Sequence, residues 1–343
     1  MNVSPIVKLL GQWGGYRLAR LLTANQPRML MYHRFITAQS DRRVKGVSAA
    51  SFEKQVEYVG RHYQPMTVSE MIRGYFGEKK LPAHAIAITV DDGYDDFYHI
   101  AWPILQRYKV PATFYVTTGF VDGRLWLWPD QLAWILDSAV SSPNFVMPFT
   151  HGSEVVLPPS GPEEQQELFR KLLHYLLNVP DRKKHAFLRE LAQHWQLRIP
   201  EQAPVWAQQV TWAQLAEMQA GGLEIGGHTV THPSLSQVSM EQAREEIMGS
   251  SEALAAKLGN APRSFCYPNG TVEDFVGEQV PLVQQAGFTG AVVAFADAQG
   301  QRQRYAMRRH SGSDNLFQFQ KAVSGLEYLG HKFRNVRQKT IYG

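Results

Sequence analysis

The chain reads as an α/β protein that curls toward a (β/α)7 barrel and carries a helical insertion. Three observations predict this. Seven short apolar runs alternate, for the most part, with helical patterns. Residues able to do chemistry stand just beyond those runs, at His33, Asp91, Asp92, Thr117, His228, Asn269 and His310. In α/β barrels the reactive groups collect at that end of the strands. The alternation lapses in one long stretch, 121–210, which reads as mainly helical.

In chain order, segment 1–26 places Ile6, Leu9, Leu10, Trp13 and Tyr16 on roughly one helical face. Gly11, Gly14 and Gly15 weaken a free-standing helix, so packing on the outside of the domain competes with a membrane contact. The first part of the barrel, 27–120, contains strands Arg28–Tyr32, Ile86–Val90 and Thr113–Val116 and helices Ser51–His62 and Asp95–Tyr108. The insertion opens with Trp126, Trp128 and Trp134 and includes a Pro/Gly stretch, Leu157–Pro162. Those tryptophans could stack on sugar rings, although such spacing more often marks a core.

The second part, 211–325, begins with helix Thr211–Ala220 and strand Leu223–Ile225. Helix Ser239–Leu258 follows, with a Ser239…Gln242 capping box and a stop at Gly259-Asn260 before Pro262. Strands Ser264–Tyr267, Gly290–Ala294 and, weakly, Tyr305–Arg308 complete the series, and 326–343 is a basic tail.

Composition sets the outer limits. Hydrophobic residues make up 44% of the 343 positions and charged residues 19%, as in a folded, core-rich protein. A net charge of +4, with no basic run and no stacking-aromatic stripe, excludes nucleic acid as the expected partner. The single cysteine, Cys266, cannot form an internal disulfide and fits a reducing compartment. Lys8, Gln12, Arg17 and Arg20 interrupt any signal-peptide core, so a cytoplasmic location is expected. No acid precedes Asp41, while Lys8, Arg17, Arg20, Arg28 and Arg34 do, and Lys332, Arg334, Arg337 and Lys339 close the chain. That bias predicts peripheral contact with an anionic inner-membrane surface.

Two motifs carry the chemistry. Run Ile86–Val90 delivers Asp91 and Asp92 side by side, where each raises the other's pKa and a cation must offset their proximity. Far downstream, His228 and His232 lie four positions apart, after Gly226-Gly227 and before Pro233. One Asp and two His suit a borderline-soft divalent ion such as zinc, with positions left for water. The spare Asp is then free to move a proton. Taken singly, each motif has a plain reading, an acidic turn or two unrelated histidines in a polar loop. Acids at adjacent rather than alternate positions do not make a calcium loop. Gly93 also excludes the Asp-x-Asp arrangement of aspartyl-phosphate phosphatases.

Together the motifs resemble the polysaccharide deacetylases of carbohydrate esterase family four, the group of the nodulation-type chitooligosaccharide deacetylases. Thr89-Val90-Asp91-Asp92-Gly93-Tyr94 is similar to that family's Thr-Phe-Asp-Asp-Gly signature. His228 to His232, with Pro233 and Leu235, is similar to its second motif, and Phe265–Gly270 to its third. Pro111–Val116 is similar to its second core strand, and Tyr32-His33 resembles the Tyr-His that the biofilm-polymer deacetylases carry near the N-terminus. The likeness runs from about Met29 to Arg309, with the insertion unmatched.

The resemblance implies a distorted, partly open barrel and a divalent metal, usually Zn2+, held by Asp92, His228 and His232. It implies Asp91 as general base and the backbone N–H of Asn269 as oxyanion donor. Trp126, Trp128 and Tyr267 become candidates to face the substrate, an N-acetylated glycan or glycolipid. The implied reaction removes N-acetyl groups from amino sugars of a polysaccharide, oligosaccharide or lipid-linked saccharide. Hydrolysis of a small non-sugar amide and glycan binding without turnover are the rivals.

The chain departs from the family pattern twice. Cys266 stands where an arginine usually steadies the catalytic aspartate; Arg309 could supply that charge, or be an ordinary surface arginine. The Leu-x-His motif of the general acid is missing, which makes His33 the favoured acid over a structural histidine and leaves His310 in reserve.

Overall fold

Strands β1 (Arg28–Tyr32), β2 (Ala85–Val90) and β3 (Thr113–Val116) are buried along their whole length, as a parallel sheet covered by helices requires. The computed structural model describes residues 14–77, 80–139, 145–149, 152–156, 161–295, 301 and 303–333. The expectations for Ile6, Leu9, Leu10 and Trp13, and for the basic residues from Arg334 onward, lie outside these residues. β4 (Glu224–Gly227), β5 (Ser264–Cys266), β6 (Gly290–Val292) and β7 (His310–Ser311) complete the path β6-β5-β4-β3-β2-β1-β7 of one sheet, to which the short strand Gln64–Pro65 is added by pairing with β2. Every pairing along it is parallel. The result is the distorted, partly open (β/α)7 barrel expected from the sequence.

Closure is made by an irregular seam. Met307 bridges Val292, and Arg309 donates its backbone N–H to the Phe295 carbonyl at 3.1 Å. One residue further on the chain leaves β6, and His310 pairs with Leu30 of β1. The last strand is therefore His310–Ser311 rather than Tyr305–Arg308, because this segment joins first one edge of the sheet and then the other. β4 likewise extends past the expected Ile225 through both glycines. A Cβ on Gly226 would lie 2.4 Å from the Tyr115 ring and one on Gly227 2.7 Å from Phe288, so neighbouring aromatic rings fill the space side chains would need.

The helix expected over Asp95–Tyr108 divides into a π-turn, Phe97–Ala101, and helix Trp102–Tyr108. Pro103 has no N–H to donate into the preceding turn, which accounts for the wide turn ahead of it. Helix Met240–Leu258 starts on Ser239, whose hydroxyl accepts from Gln242 N, and stops on Gly259 at φ 75°.

The insertion contributes helices Trp128–Ser138, Pro162–Leu177 and Asp181–His194, with a hairpin pairing Phe145–Phe149 and Gly152–Val156 that the helical expectation missed. Its helices share a core that includes Trp128, Leu132, Ile135, Leu172, Leu176, Leu188 and Trp195. Full burial of each aliphatic side chain there stabilises by roughly 1.5–3 kcal/mol. Among the described residues no helix is long and apolar enough to cross a membrane.

Candidate metal centre

Strand geometry delivers the acidic pair. β2 ends at Val90; Asp91 donates its N–H to the Tyr32 carbonyl at 2.9 Å, and the chain then turns sharply with Asp92 at φ 80° and Gly93 at φ 107°. Left-handed backbone at a non-glycine residue is strained and concentrates at functional sites. Thr229, His232 and Asn269 share the feature, at φ 64°, 64° and 57°, so each of the three motifs contains such a residue.

The histidine loop leaves β4 and folds onto the end of β3. Thr117 Oγ1 donates to the His228 carbonyl at 3.0 Å, and Gly119 N to the Val230 carbonyl at 2.8 Å. From the other side Glu246, on helix Met240–Leu258, accepts from Val230 N and Thr231 N, both at 2.8 Å, and from Thr231 Oγ1. Sequence reasoning missed Glu246. The signal was present: it is an acid on the buried stripe Ala243-Glu246-Ile247-Ser250-Leu254.

These constraints bring Nε2 of His228 and Nε2 of His232 each to 3.4 Å from Asp92 Oδ1. One atom from each residue lies within 4.8 Å of the other two, and all three residues are buried or nearly so. The donor set fits a divalent cation. His228 Nδ1 lies 2.7 Å from the Cys266 carbonyl, which as acceptor fixes the proton there and leaves the Nε2 lone pair facing Asp92. His232 Nδ1 is buried with no hydrogen-bond partner among the described residues, and its ring is held by packing edge-on against His228. Burial alone would raise the Asp92 carboxyl, but the two imidazoles outweigh it and hold it well below the usual range.

A second grouping, Asp91, His228 and Cys266, is also close enough to hold an ion, but a guanidinium already occupies it. Arg309, fully buried, donates Nη1 to Asp91 Oδ1 and Nη2 to Asp91 Oδ2, both at 2.7 Å. Nη1 also reaches Thr89 Oγ1 at 2.9 Å, Nε the Val293 carbonyl at 3.0 Å, and Nη2 lies 3.1 Å from Cys266 Sγ. Of the two readings left open for Arg309, the structure selects the partner of Asp91. Burial pushes Asp91 up and the guanidinium pulls it further down, so the carboxyl stays below its ordinary value and ionised. Cys266 is buried, and desolvation pushes its thiol up, as befits an inert core thiol.

His33, at the end of β1, has a half-exposed side chain with Nε2 3.9 Å from Asp91 Oδ2. A pocket of about 250 Å³ opens beside it, lined among others by Arg34, Lys45, Ser311 and Asp314. Asn269 lies on the loop after β5, where its side-chain amide points to Asp274 Oδ1 at 3.4 Å.

Four expectations are corrected. His310 is buried, and the charged groups acting on it are Glu327, Arg28 and Lys321; it faces the outer helices because the residue before it, Arg309, points inward. It is not placed to serve as an acid in the cleft. Trp126 and Trp128 are each only 3% exposed, the first donating Nε1 to the Pro200 carbonyl and the second packed in the insertion core. Tyr267 is 1% exposed and stacked on Phe275. None of the three rings offers a face to a sugar, because the insertion and the β5–β6 layer need them as core.

His310 gives a stability test. Burial holds it down to about 4, against an ordinary value of 6.5. The folded state therefore binds fewer protons than the unfolded one between those values. Its contribution is complete above pH 6.5 and is lost as pH falls toward 4, a loss of roughly 3 kcal/mol. Thermal melts from pH 7 to 4 should show this slope, and His310→Asn should flatten it.

A curled parallel barrel with one carboxylate and two imidazoles converging at its C-terminal mouth defines the class: a barrel built around a candidate metal cradle with an adjacent, separately held carboxylate. A family model described as polysaccharide deacetylase matches residues 78–144 and 186–291, together half of the chain. The chain belongs to the polysaccharide deacetylase family.

Two relatives are named poly-beta-1,6-N-acetyl-D-glucosamine N-deacetylase. The Escherichia coli K12 protein is 30% identical over 94 residues, covering 27% of this chain and 14% of that one. The Staphylococcus aureus MSSA476 protein is 33% identical over 89 residues, covering 25% and 30%. The matches thus span less than a third of either relative. The fold is similar to that of the Streptococcus pyogenes deacetylase PplD in complex with acetate, with TM-score 0.55, 17% identity and 84% and 93% of the two chains covered. It is likewise similar to IcaB from Ammonifex degensii, with TM-score 0.54, 16% identity and 88% and 97% coverage.

Proposed function

We propose that this chain is a metal-dependent N-deacetylase acting on N-acetylated amino sugars of a polysaccharide, oligosaccharide or lipid-linked saccharide. The observation that carries the reading is the division of labour between adjacent carboxylates. Asp92 faces two imidazoles, while both carboxylate oxygens of Asp91 are held by Arg309, which keeps the group ionised. A divalent ion, zinc by the donor set, would be held by Asp92, His228 and His232 and would polarise the acetamide carbonyl and acidify the attacking water.

Asp91 takes the proton of that water, which its ionised state permits. The backbone N–H of Asn269 is assigned to the developing oxyanion. His33, half-exposed and beside Asp91, is assigned the proton delivered to the departing amine. The names of the two relatives, and the acetate bound by the streptococcal neighbour, support an N-acetylated glycan as substrate.

The test is acetate release from a panel of N-acetylated oligosaccharides and small amides, alongside metal analysis. Oligosaccharide turnover abolished by a chelator and restored by Zn2+ is expected. Turnover of small amides alone would remove the glycan assignment, and activity indifferent to chelation would remove the metal.

A membrane contact is part of the same proposal, together with a cytoplasmic location, but through a different face from the one expected. Tyr16 is buried against Phe317, and the other members of the expected face lie outside the described residues. Helix Tyr16–Leu22 buries Tyr16 and Ala19 and leaves Leu18, Leu21 and Leu22 57–65% exposed beside Arg17. The full chain should co-sediment with anionic vesicles, and Leu18→Ser with Leu21→Ser should weaken binding about tenfold or more. Equal partition onto neutral and anionic vesicles, or none, would refute the contact.

A further inference from the structure

One carboxylate that the reaction scheme does not use ties the chain just after His33 to the chain just after Asp92. Asp96 accepts from Arg34 Nε through Oδ2 and from Phe35 N through Oδ1, the latter at 3.0 Å. An acid at the start of a helix ordinarily caps it, but the Asp96 side chain makes no such bond. The Arg34 and Asp96 side chains are each only 10% exposed, so the pair is largely shielded from water and each charge needs the other.

Arg34 has further anchors. Its Nη2 donates to the Trp206 carbonyl at 2.7 Å, and its guanidinium lies 3.7 Å from the centre of the Tyr94 ring. The Tyr94 hydroxyl in turn donates to Asp130 Oδ2 at 2.6 Å. Trp206 and Asp130 both belong to the 121–210 insertion, so two of its segments brace the same guanidinium. Backbone bonds seat the turn on the end of the insertion as well: Asp95 N donates to the Gln208 carbonyl at 3.1 Å, and Val210 N to the Gly93 carbonyl at 2.9 Å. The turn carries left-handed backbone at Asp92, which persists only where surrounding contacts over-determine it. Across this joint His33 Nε2 lies 3.9 Å from Asp91 Oδ2.

We propose that Arg34 and Asp96 form a positioning pair that sets the His33 imidazole against Asp91 and so places the group that protonates the departing amine. This deepens the deacetylase reading and rests on it, and within it on His33 as the acid. In that step the C–N bond of the tetrahedral adduct breaks, nitrogen keeps the electron pair and takes a proton from His33, and the carbonyl re-forms as acetate. Neither Arg34 nor Asp96 touches the reacting atoms; they act through the strand end that carries the imidazole.

The experiment uses the full chain and compares wild type, Arg34→Lys, Arg34→Met, Asp96→Asn and the double variant R34M/D96N. Turnover is measured on an N-acetylated oligosaccharide and on para-nitrophenyl acetate, whose phenolate departs without a proton. Bound metal and amide hydrogen exchange by mass spectrometry are followed alongside. In D96N and R34M, kcat on the oligosaccharide should fall about tenfold or more, with KM and metal content unchanged. Ester hydrolysis should stay within about twofold of wild type, which a general loosening of the fold would not allow. Segment 33–36 should exchange about tenfold faster. R34K keeps the charge facing Asp96 and should recover part of the loss, and the double variant should be no worse than the stronger single one.

Equal losses on amide and ester, unchanged exchange at 33–36, or additive losses in the double variant would overturn the pairing. If R34M does not fold, D96N and R34K carry the comparison, because one keeps the carboxylate's shape and the other keeps the cation. A wild type that turns over the ester but no glycan would sink the deacetylase reading, while exchange at 33–36 would still decide whether the two segments are coupled.

Discussion

Asp91→Asn should abolish deacetylation while leaving the metal in place. The amide is nearly isosteric with the carboxylate but cannot accept the water's proton at neutral pH. Removing a general base typically lowers turnover by about 10²–10⁴-fold, and the upper part of that range is expected because no other described carboxylate shares the Arg309 contact. Metal content should equal that of wild type, since the three atoms placed to share an ion belong to Asp92, His228 and His232. The change also sets an amide N–H₂ against the guanidinium fork, so a stability loss of about 3 kcal/mol should accompany it in thermal melts. A folded, metal-loaded variant with wild-type kcat would remove Asp91 from the chemistry.

Arg309→Met should produce the second-largest effect, and one with a pH signature. The substitution strands a carboxylate whose residue is 2% exposed, which typically costs about 3–5 kcal/mol. In the native protein Asp91 sits below its ordinary value in spite of burial. Its contribution to stability is therefore complete above the unfolded-state value and is lost as pH falls through the lower folded one. Without the guanidinium, burial governs, the folded value rises above the unfolded one, and the sign reverses: the site then loses stability as pH rises. The acid limb of the rate–pH profile should move upward in step, at about tenfold in rate per unit below the new value. Arg309→Lys keeps the charge but not the two-pronged geometry and should recover only part of the loss. An unmoved acid limb would refute the role assigned to Arg309.

Much of this was legible in the residues. An apolar run that ends in two acids, and a glycine-led loop with paired histidines, are local patterns, and the strand-end rule placed both at one mouth without any tertiary information. Alternation of strand and helix gave the barrel for the same reason. Contacts between distant segments were less legible. Arg309 stood level between two roles because its partner is 218 residues away and the seam carrying it is too short and irregular to show a strand period. His310 was drawn toward the site for the same reason, though a one-residue step turns it to the outer helices.

Aromatic spacing could not reveal that Trp126, Trp128 and Tyr267 are enclosed, since spacing reports proximity in sequence and not exposure. Glu246 carries no motif. It becomes visible only when the loop it holds is seen to need holding.

The seam at which the barrel closes has a consequence for the order in which the chain becomes competent. Asp91 emerges early in synthesis, but the guanidinium that neutralises it arrives only with the last strand of the sheet. Until that segment docks between the two edges, a nascent or clipped polypeptide holds a bare anion at the proposed base and has little reason to keep that pocket closed. Docking of that segment and neutralisation of Asp91 are thereby made a single event, so fragments ending before residue 309 should not hydrolyse acetamides.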